Sequence, residues 1–300
     1  MGPQVNAIAH VPRAAGASPI AEGGYRRAVV IRPSRPGWRE LAAHLRALPD
    51  YRDLLYTLSV HRINVRYRQT ALGVIWAVLQ PVLMMLIFTG VFSVLARMPS
   101  EGVPYPLFAY TALLPWTFFS SSLTNASTSL VSHAQLITKV YFPREILPLT
   151  YVVAGLFDFA IGALVLAGLM AYYGIAPAAS TWILIPLVLL LAGWILSVAL
   201  VLSALQVRWR DVGVAMPLLL QLWLFASPVI YPLSAVPDGW RTWYLLNPMA
   251  GIVSSFRDVI LRGSPPDPAP LLYAGAVTAV ALPLAYIFFK RAESTMADVV

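Results

Sequence analysis

The stretch that decides the fold is Thr138-Lys139-Val140-Tyr141-Phe142-Pro143-Arg144-Glu145-Ile146-Leu147-Pro148, a short charged segment between long apolar runs. From Ile146 to Val207 the only acidic or basic residue is Asp158. Because charged side chains are costly in hydrocarbon, we expect the segment to lie at one surface of a membrane, with the apolar runs crossing it. The sequence therefore predicts helices that cross a membrane several times.

The composition agrees with a membrane protein. Of the 300 residues, 59% are hydrophobic and only 11% are charged, whereas a soluble domain carries about 25% charged residues. The absence of cysteine excludes disulfides and thiolate metal sites. Eleven of the 21 lysines and arginines precede Leu72, so the net charge of +8 suits a cytoplasmic face beside anionic lipid better than nucleic acid.

The apolar runs predict an all-α polytopic membrane protein with six transmembrane helices. The expected spans are Leu72–Ala96, Tyr105–Asn125, Leu147–Tyr173, Trp182–Gln206, Val212–Ile230 and Leu271–Phe289. Residues 231–263 are interrupted by prolines, and they predict two short outer helices, around Trp240–Leu246 and Met249–Leu261. With this topology all but four of the 21 lysines and arginines lie on the side of both termini, which the positive-inside rule makes cytoplasmic.

The rest of the predicted organisation concerns the ends of the chain. Residues 1–37 are expected to be a disordered cytoplasmic tail, because they are rich in Ala, Gly, Pro and Arg. Residues 38–70 are expected to form an amphipathic interface helix region, since leucines and arginines lie on different helical faces; a helix simply packed on protein is the alternative. Residues 71–290 then form the six-span transmembrane domain, and residues 291–300 form a cytoplasmic tail.

No catalytic or metal-binding constellation is present in the sequence. The only lysines are Lys139 and Lys290, and neither follows a glycine-rich loop, so the chain has no nucleotide-binding motif of its own. Asp158 leaves two interpretations open: a proton or substrate site, or a carboxylate bonded to a neighbouring helix. The second is favoured because no matching base lies within a predicted span.

Aromatic side chains recur on the predicted first span. Trp76, Gln80, Met84, Phe88 and Phe92 follow one another at four-residue intervals and so form one stripe. Such a stripe can stack on sugar rings in a pore, and it can equally pack against helices or lipid.

Three blocks of residues stand out together: residues 66–76 leading to Gln80-Pro81, residues 139–145 with Pro148, and Ser227-Pro228-Val229-Ile230-Tyr231-Pro232 followed by Val236-Pro237, Asn247-Pro248-Met249 and Arg257. In these blocks the chain resembles the type-2 ATP-binding-cassette permeases that export polysaccharides, the family of O-antigen, capsular polysaccharide and teichoic acid exporters. The resemblance implies a homodimer in the cell inner membrane that binds two separate ATPase subunits and exports an undecaprenyl-linked polysaccharide. It also implies that this chain binds no cofactor, and that ATP and Mg²⁺ bind to the partner ATPase.

The resemblance also implies roles for particular residues. Lys139, Tyr141, Phe142, Pro143, Arg144 and Glu145 would belong to a helix that couples the chain to the ATPase. The aromatic residues Trp76, Phe88, Phe92, Tyr110, Trp116, Phe119, Trp223 and Tyr231 would line the substrate pathway. Trp240, Trp243, Asn247 and Arg257 would belong to an outer gate.

Two other functions remain open at this stage. One is an exporter of the same superfamily that moves a lipo-oligosaccharide or a small molecule. The other is a membrane-embedded glycosyltransferase, which would need a pair of catalytic carboxylates on a membrane face. The outward candidates are Glu101, Asp238, Asp258 and Asp267, and their sequence positions do not define such a pair.

Overall fold

The computed structural model describes residues 48–68, 73–140 and 142–296, and this part of the chain is built from helices. The α-helices are α1 (Arg52–Arg68), α2 (Ile75–Phe88), α3 (Tyr105–Ser127), α4 (Ser129–Ser132), α5 (Ala134–Lys139), α6 (Ile146–Tyr172), α7 (Leu184–Arg208), α8 (Asp211–Phe225), α9 (Asp238–Leu245), α10 (Pro248–Leu261) and α11 (Pro268–Met296). A π-helix, Thr89–Leu95, continues α2, and 3-10 turns cover Leu48–Tyr51, Ala179–Ile183 and Leu233–Ala235. The prediction of an all-helical protein is confirmed for the described residues.

Four helical segments of the described chain are long and apolar enough to cross a membrane: Ile75–Leu95, Ile146–Tyr172, Ala179–Arg208 and Pro268–Glu293. They coincide with the predicted first, third, fourth and sixth spans. The predicted second span corresponds to α3, which has 23 residues but carries many hydroxyl groups, and the predicted fifth span corresponds to α8, which has only 15 residues. The count of six spans therefore stays a prediction.

Helix α3 lies at the centre of the bundle, where it contacts α2, α6, α7, α8 and α10. Its aromatic and leucine side chains are buried almost all round, as expected of a helix enclosed by others. Two glycines of α6 allow the close approach of α3. A Cβ at Gly155 would lie 2.2 Å from Oγ of Ser122, and one at Gly162 would lie 2.6 Å from a methyl group of Leu114.

A second apolar cluster joins the segment after α5 to the ends of three helices. Phe142 and Ile146 pack there with residues of α7 and with Tyr286 and Phe289 of α11. Leucines of α1 pack against the same cluster. The predicted coupling segment is therefore built into the helical bundle rather than projecting from it.

Large apolar side chains are exposed on several helices, among them α2 and α8. On α8 these include Val214, Leu218 and Leu222, and on α2 they include Ile75, Leu86 and Ile87. In water such surfaces would be unfavourable, so they suit lipid or another protein.

The other structural predictions have mixed outcomes. Two short helices, α9 and α10, occur where residues 231–263 predict them, and their role as an outer gate stays a prediction. The predicted tail of residues 1–37 lies outside the described residues, as do Tyr141 and residues 297–300. The predicted interface helix region, residues 38–70, is described only for residues 48–68, where α1 is found, and its place at a membrane interface stays a prediction. Pro81 and Pro115 are contained within α2 and α3 respectively.

Candidate functional site

The charged side chains at the end of residues 139–145 pack against other helices of the same chain. Glu145 is 4% exposed, and its Oε2 lies 2.7 Å from Nζ of Lys290 on α11. The hydroxyl of Tyr286, one turn earlier on α11, donates to Oε1 of the same carboxylate at 3.2 Å. Phe142 is also buried, at 6% exposed. A buried carboxylate needs such partners, because an unpaired charge in the interior is strongly destabilising.

Glu293 extends this network by one turn of α11. The Lys290 ammonium donates a second hydrogen bond to Oε2 of Glu293 at 2.9 Å. The Arg144 guanidinium donates to the main-chain oxygen of Glu293 at 3.1 Å, and its Nε lies 3.8 Å from the Glu293 carboxylate. Two positive and two negative side chains therefore fasten the start of α6 to the end of α11.

Fewer residues of the stretch 139–145 are exposed on the protein surface than the sequence predicts. Lys139 and Val140 are exposed, whereas Arg144 is half-buried and Glu145 is buried. Tyr141 lies outside the described residues. A contact of these residues with an ATPase stays a prediction, but in this structure the charges of Arg144 and Glu145 are satisfied within the chain.

Asp158 is bonded to the end of α1. Nη1 of Arg66 donates to its Oδ2 at 2.5 Å, and the Tyr67 hydroxyl donates to its Oδ1. Asp158 follows the start of α6 by twelve residues, or about 18 Å of helix, so Arg66 reaches the middle of a helix long enough to span a membrane. Of the two interpretations, the carboxylate bonded to a neighbouring helix is the one seen here.

A second contact joins α1 to the link between α4 and α5. The Arg62 guanidinium lies 4.4 Å from the ring centre of Tyr151 on α6 and also bonds to His133. Nδ1 of His133 lies 2.8 Å from the carbonyl oxygen of Ser129, so it carries the proton and leaves Nε2 to accept from Arg62. Burial, which is only partly offset by the Ser129 carbonyl, lowers the pKa of His133, and the Arg62 charge lowers this pKa further.

Asn247 connects α8 to α10. Its side-chain oxygen accepts from the main-chain N–H of Met249 at 3.1 Å, which caps the N-terminus of α10, and from Nε1 of Trp223 at 3.0 Å. Its amide nitrogen donates to the carbonyl oxygen of Ala226 at 2.9 Å and to Oγ of Ser227 at 2.8 Å. The single side chain thus orders both the end of α8 and the start of α10.

Arg257 holds the irregular segment that follows α8. It is 5% exposed, and its guanidinium donates to the carbonyl oxygens of Pro228, Val229 and Tyr231. It also lies 3.7 Å from the ring centre of Phe108 on α3. These carbonyl groups have no helical partner, so Arg257 satisfies buried acceptors that would otherwise be unpaired.

The other two predicted gate residues, Trp240 and Trp243, are 69% and 70% exposed on α9. They do not contact Asn247 or Arg257 through any ring contact or hydrogen bond in the described part of the chain. Of the four predicted gate residues, the structure therefore brings Asn247 and Arg257 together around the segment after α8. The gate itself stays a prediction.

The aromatic residues predicted to line a substrate pathway lie in different environments. Tyr110 and Phe119 are fully buried in α3, and Trp116 and Phe88 are 6% and 8% exposed. Trp76 is 46% exposed, while Phe92, Trp223 and Tyr231 are half-buried. Phe119 packs edge-on against Trp223 at 4.9 Å between ring centres. In this conformation Tyr110, Trp116 and Phe119 contribute to helix packing, and their contact with substrate stays a prediction.

Two partners escaped the sequence reasoning: Lys290 for Glu145, and Arg66 for Asp158. The two pairs are separated by 145 and 92 residues along the chain. The sequence could have indicated that these partners exist, because each acid lies in or next to an apolar run and so requires a base somewhere in the fold.

Comparisons with known proteins agree with these features. A family model described as "ABC-2 type transporter" matches residues 53–261. The O-antigen export system permease protein RfbA of Myxococcus xanthus is 35% identical over 260 residues, which cover 85% of this chain and 98% of that protein. An RfbA protein of Klebsiella pneumoniae is 30% identical over 216 residues, covering 71% of this chain and 82% of its own length. The polysialic acid transport protein KpsM of Escherichia coli is 24% identical over 250 residues, covering 80% and 93%.

Proposed function

The chain belongs to the ABC-2 type transporter family, and on that premise we propose that it is the membrane permease of an ATP-driven exporter of a polysaccharide. The observation that carries the proposal is the match to the M. xanthus O-antigen export permease, of which 98% is covered at 35% identity. A second relative is a polysialic acid transport protein, so the named relatives share polysaccharide as the transported class.

The finer parts of the proposal concern partners and location. The permease works as a homodimer with two ATPase subunits, and ATP and Mg²⁺ bind to those subunits. Its substrate is a polysaccharide linked to undecaprenyl, and it lies in the inner membrane with both termini in the cytoplasm. The exposed apolar faces of α2 and α8 support this proposal, because each suits lipid or a second copy of the chain.

The contacts of the segment before α6 support a coupling step between the ATPase and the helices. Lys139 and Val140 form its exposed edge, where an ATPase would dock. A displacement of that edge is passed to α6 directly through the chain and to α11 through the Glu145–Lys290 ion pair. Nucleotide-driven movement of the ATPase would therefore shift two long helices at once.

The glycosyltransferase alternative is not supported by the outward carboxylates. Arg262 binds both Glu101 and Asp258, at 2.6 Å each. The two carboxylates are therefore held by one guanidinium as ion-pair partners, rather than being free to act as a separate acid and nucleophile.

Complementation tests the proposed function. The chain and a cassette ATPase from the same organism are expressed in a strain that lacks its own polysaccharide exporter, and surface polysaccharide is measured. We expect export with the active ATPase and none when the ATPase is inactivated. Export of only a lipo-oligosaccharide or a small molecule would favour the other transport class, and activity without the ATPase would favour an enzyme.

The docking edge is tested in the same strain. Lys139→Glu is expected to lower surface polysaccharide and ATPase binding together, because it reverses the exposed charge nearest the predicted contact. Arg97→Glu, an exposed charge reversal in the link between α2 and α3, is the matched control. Normal ATPase binding by the Lys139→Glu and Lys139→Ala/Arg144→Ala variants would show that docking lies elsewhere.

A further inference from the structure

A polar cavity of about 340 Å³ lies beside the middle of α6, between α2 and α3. Its polar wall is formed by Gln80 of α2 and by five residues on one face of α3: Thr117, Ser120, Ser121, Thr124 and Asn125. A second cavity of about 290 Å³ adjoins it on the side of α1. Arg66 and Asp158 line both cavities, so their ion pair lies where the two meet.

This wall is polar but carries no excess charge. The lining of the larger cavity includes one basic and one acidic residue, Arg66 and Asp158, and these are paired at 2.5 Å. An anionic group such as a phosphate would have to compete with Asp158 for the guanidinium. A neutral ligand with many hydroxyl groups would not.

Several polar groups of the wall can form further hydrogen bonds. Thr117 and Thr124 donate their hydroxyl protons to carbonyl oxygens of their own helix, at 3.0 and 2.8 Å, so their oxygens remain available as acceptors. Among the described residues, neither the Gln80 amide nor the Ser121 hydroxyl has a hydrogen-bond partner. Polar groups at the level of a membrane-spanning helix require partners, and a bound ligand would supply them.

The apolar part of the lining suits one class of hydroxylated ligand. Phe118 and Phe159 lie in the cavity wall with their rings 5.6 Å apart, and aromatic faces stack on the C–H faces of sugars. Small-molecule sites enclose about 300–1,000 Å³, so the larger cavity accommodates one or two sugar rings rather than a longer chain.

We propose that this cavity is an intramembrane glycan-binding subsite, in which Gln80, Ser121 and Asn125 hydrogen-bond to hydroxyl groups of one or two sugar rings. The inference rests on the proposed function, because it assigns part of the polysaccharide's path to named residues. The Arg66–Asp158 pair closes the subsite on the side of α1 and can be reached by the same hydroxyl groups.

Cysteine protection tests the subsite directly, since the natural chain contains no cysteine. Ser121→Cys is prepared in the complex with the ATPase, and the rate of its reaction with a small maleimide is measured in nanodiscs. The probes are oligosaccharides released by mild acid from the host strain's surface polysaccharide and, separately, inorganic pyrophosphate. The control is Ala176→Cys, an exposed position in the link between α6 and α7.

We expect the oligosaccharides to slow labelling of Ser121→Cys by about twofold or more once half the sites are filled, and to leave Ala176→Cys unchanged. Adding Gln80→Leu to Ser121→Cys should weaken this protection several-fold. Protection by pyrophosphate alone would identify an anion site and overturn the proposal, as would equal labelling with and without the oligosaccharides.

The failure of the subsite and the failure of the proposed function give different results. If the unmodified chain restores no surface polysaccharide in the deletion strain, the proposed function fails. If it does restore export but the oligosaccharides do not protect Ser121→Cys, only the subsite fails. A functional subsite further predicts that Gln80→Leu/Asn125→Leu lowers surface polysaccharide several-fold while the ATPase still co-purifies with the chain.

Discussion

Replacement of Lys290 by methionine should strongly destabilise the chain. The change leaves the Glu145 carboxylate with one remaining hydrogen-bond donor, the Tyr286 hydroxyl at 3.2 Å. The carboxylate stays buried, because both side chains of the ion pair are only 5% exposed. Removing one partner of a buried pair costs about 3–5 kcal/mol, because the other charge stays buried and unpaired. We therefore expect a decrease of this size in the free energy of unfolding.

Replacement of the other partner of the ion pair, Glu145, should destabilise the chain less. In Glu145→Gln the lysine keeps its bond to Glu293 at 2.9 Å, and the new amide oxygen can still accept from Tyr286. We expect a loss of about 1–2 kcal/mol, because one hydrogen bond to a charged group is weakened but not removed. The double variant Glu145→Gln/Lys290→Met should recover about 2 kcal/mol relative to Lys290→Met, because it leaves no unpaired carboxylate at residue 145.

Unfolding of the reconstituted chain in a titration with SDS measures these differences. The matched control is Arg241→Met, which removes an exposed pair with Asp238 at 3.3 Å and should change the unfolding free energy by less than about 1 kcal/mol. The reasoning is refuted if Lys290→Met costs no more than Arg241→Met, or if the double variant is less stable than both single variants.

Three further predictions follow from the other contacts. Asp158→Asn should lower the unfolding free energy by about 1 kcal/mol, and the loss is modest because the Arg66 side chain is 48% exposed. The double variant Asp158→Asn/Arg66→Gln should be no less stable than Asp158→Asn alone. The pKa of His133 is lowered in the folded chain, so the stability that depends on its neutral form is complete above the unfolded pKa of about 6.5 and falls as the pH drops below that value. His133→Gln should reduce this pH dependence in SDS unfolding between pH 7 and pH 5, and an unchanged dependence would contradict the role of His133. Asn247→Ala should cost about 2 kcal/mol by SDS unfolding, since it removes the cap of α10 and the acceptor of an indole N–H; an unchanged midpoint would contradict the role of this side chain.

The sequence predicts most helix positions well because charges and prolines mark where apolar runs end. The predicted span Leu147–Tyr173 is observed as Ile146–Tyr172, and the prediction Trp182–Gln206 is observed as Leu184–Arg208. In contrast, nothing in the composition of residues 105–127 shows that α3 is the central helix. Its hydroxyl groups make it the weaker candidate by hydropathy, and its burial depends on neighbours from five other helices.

The candidate site was less predictable for the same reason. A periodic pattern reports contacts three or four residues apart, whereas Glu145 and Lys290 are 145 residues apart. The charges of residues 139–145 predict a surface for a partner protein, and this stays a prediction. What the sequence does not indicate is that Arg144 and Glu145 also bind α11. Asp158 was recognised as requiring a partner, but the base comes from α1, a helix that is not among the candidate spans.

The two ion pairs also differ in strength, and this difference indicates where the chain bends when the ATPase moves. Separating Glu145 from Lys290 breaks an ion pair whose side chains are both 5% exposed, whereas the Arg66 side chain is 48% exposed and lines two cavities whose hydroxyl and amide groups can replace Asp158 as its partner. The coupling segment and α11 should therefore move together, and α1 should separate from α6 first. Spin labels at Val65 and Leu164 should change their separation between the nucleotide-free and ATP-bound complex, while labels at Val140 and Phe288 should not; the opposite result would place the hinge at α11.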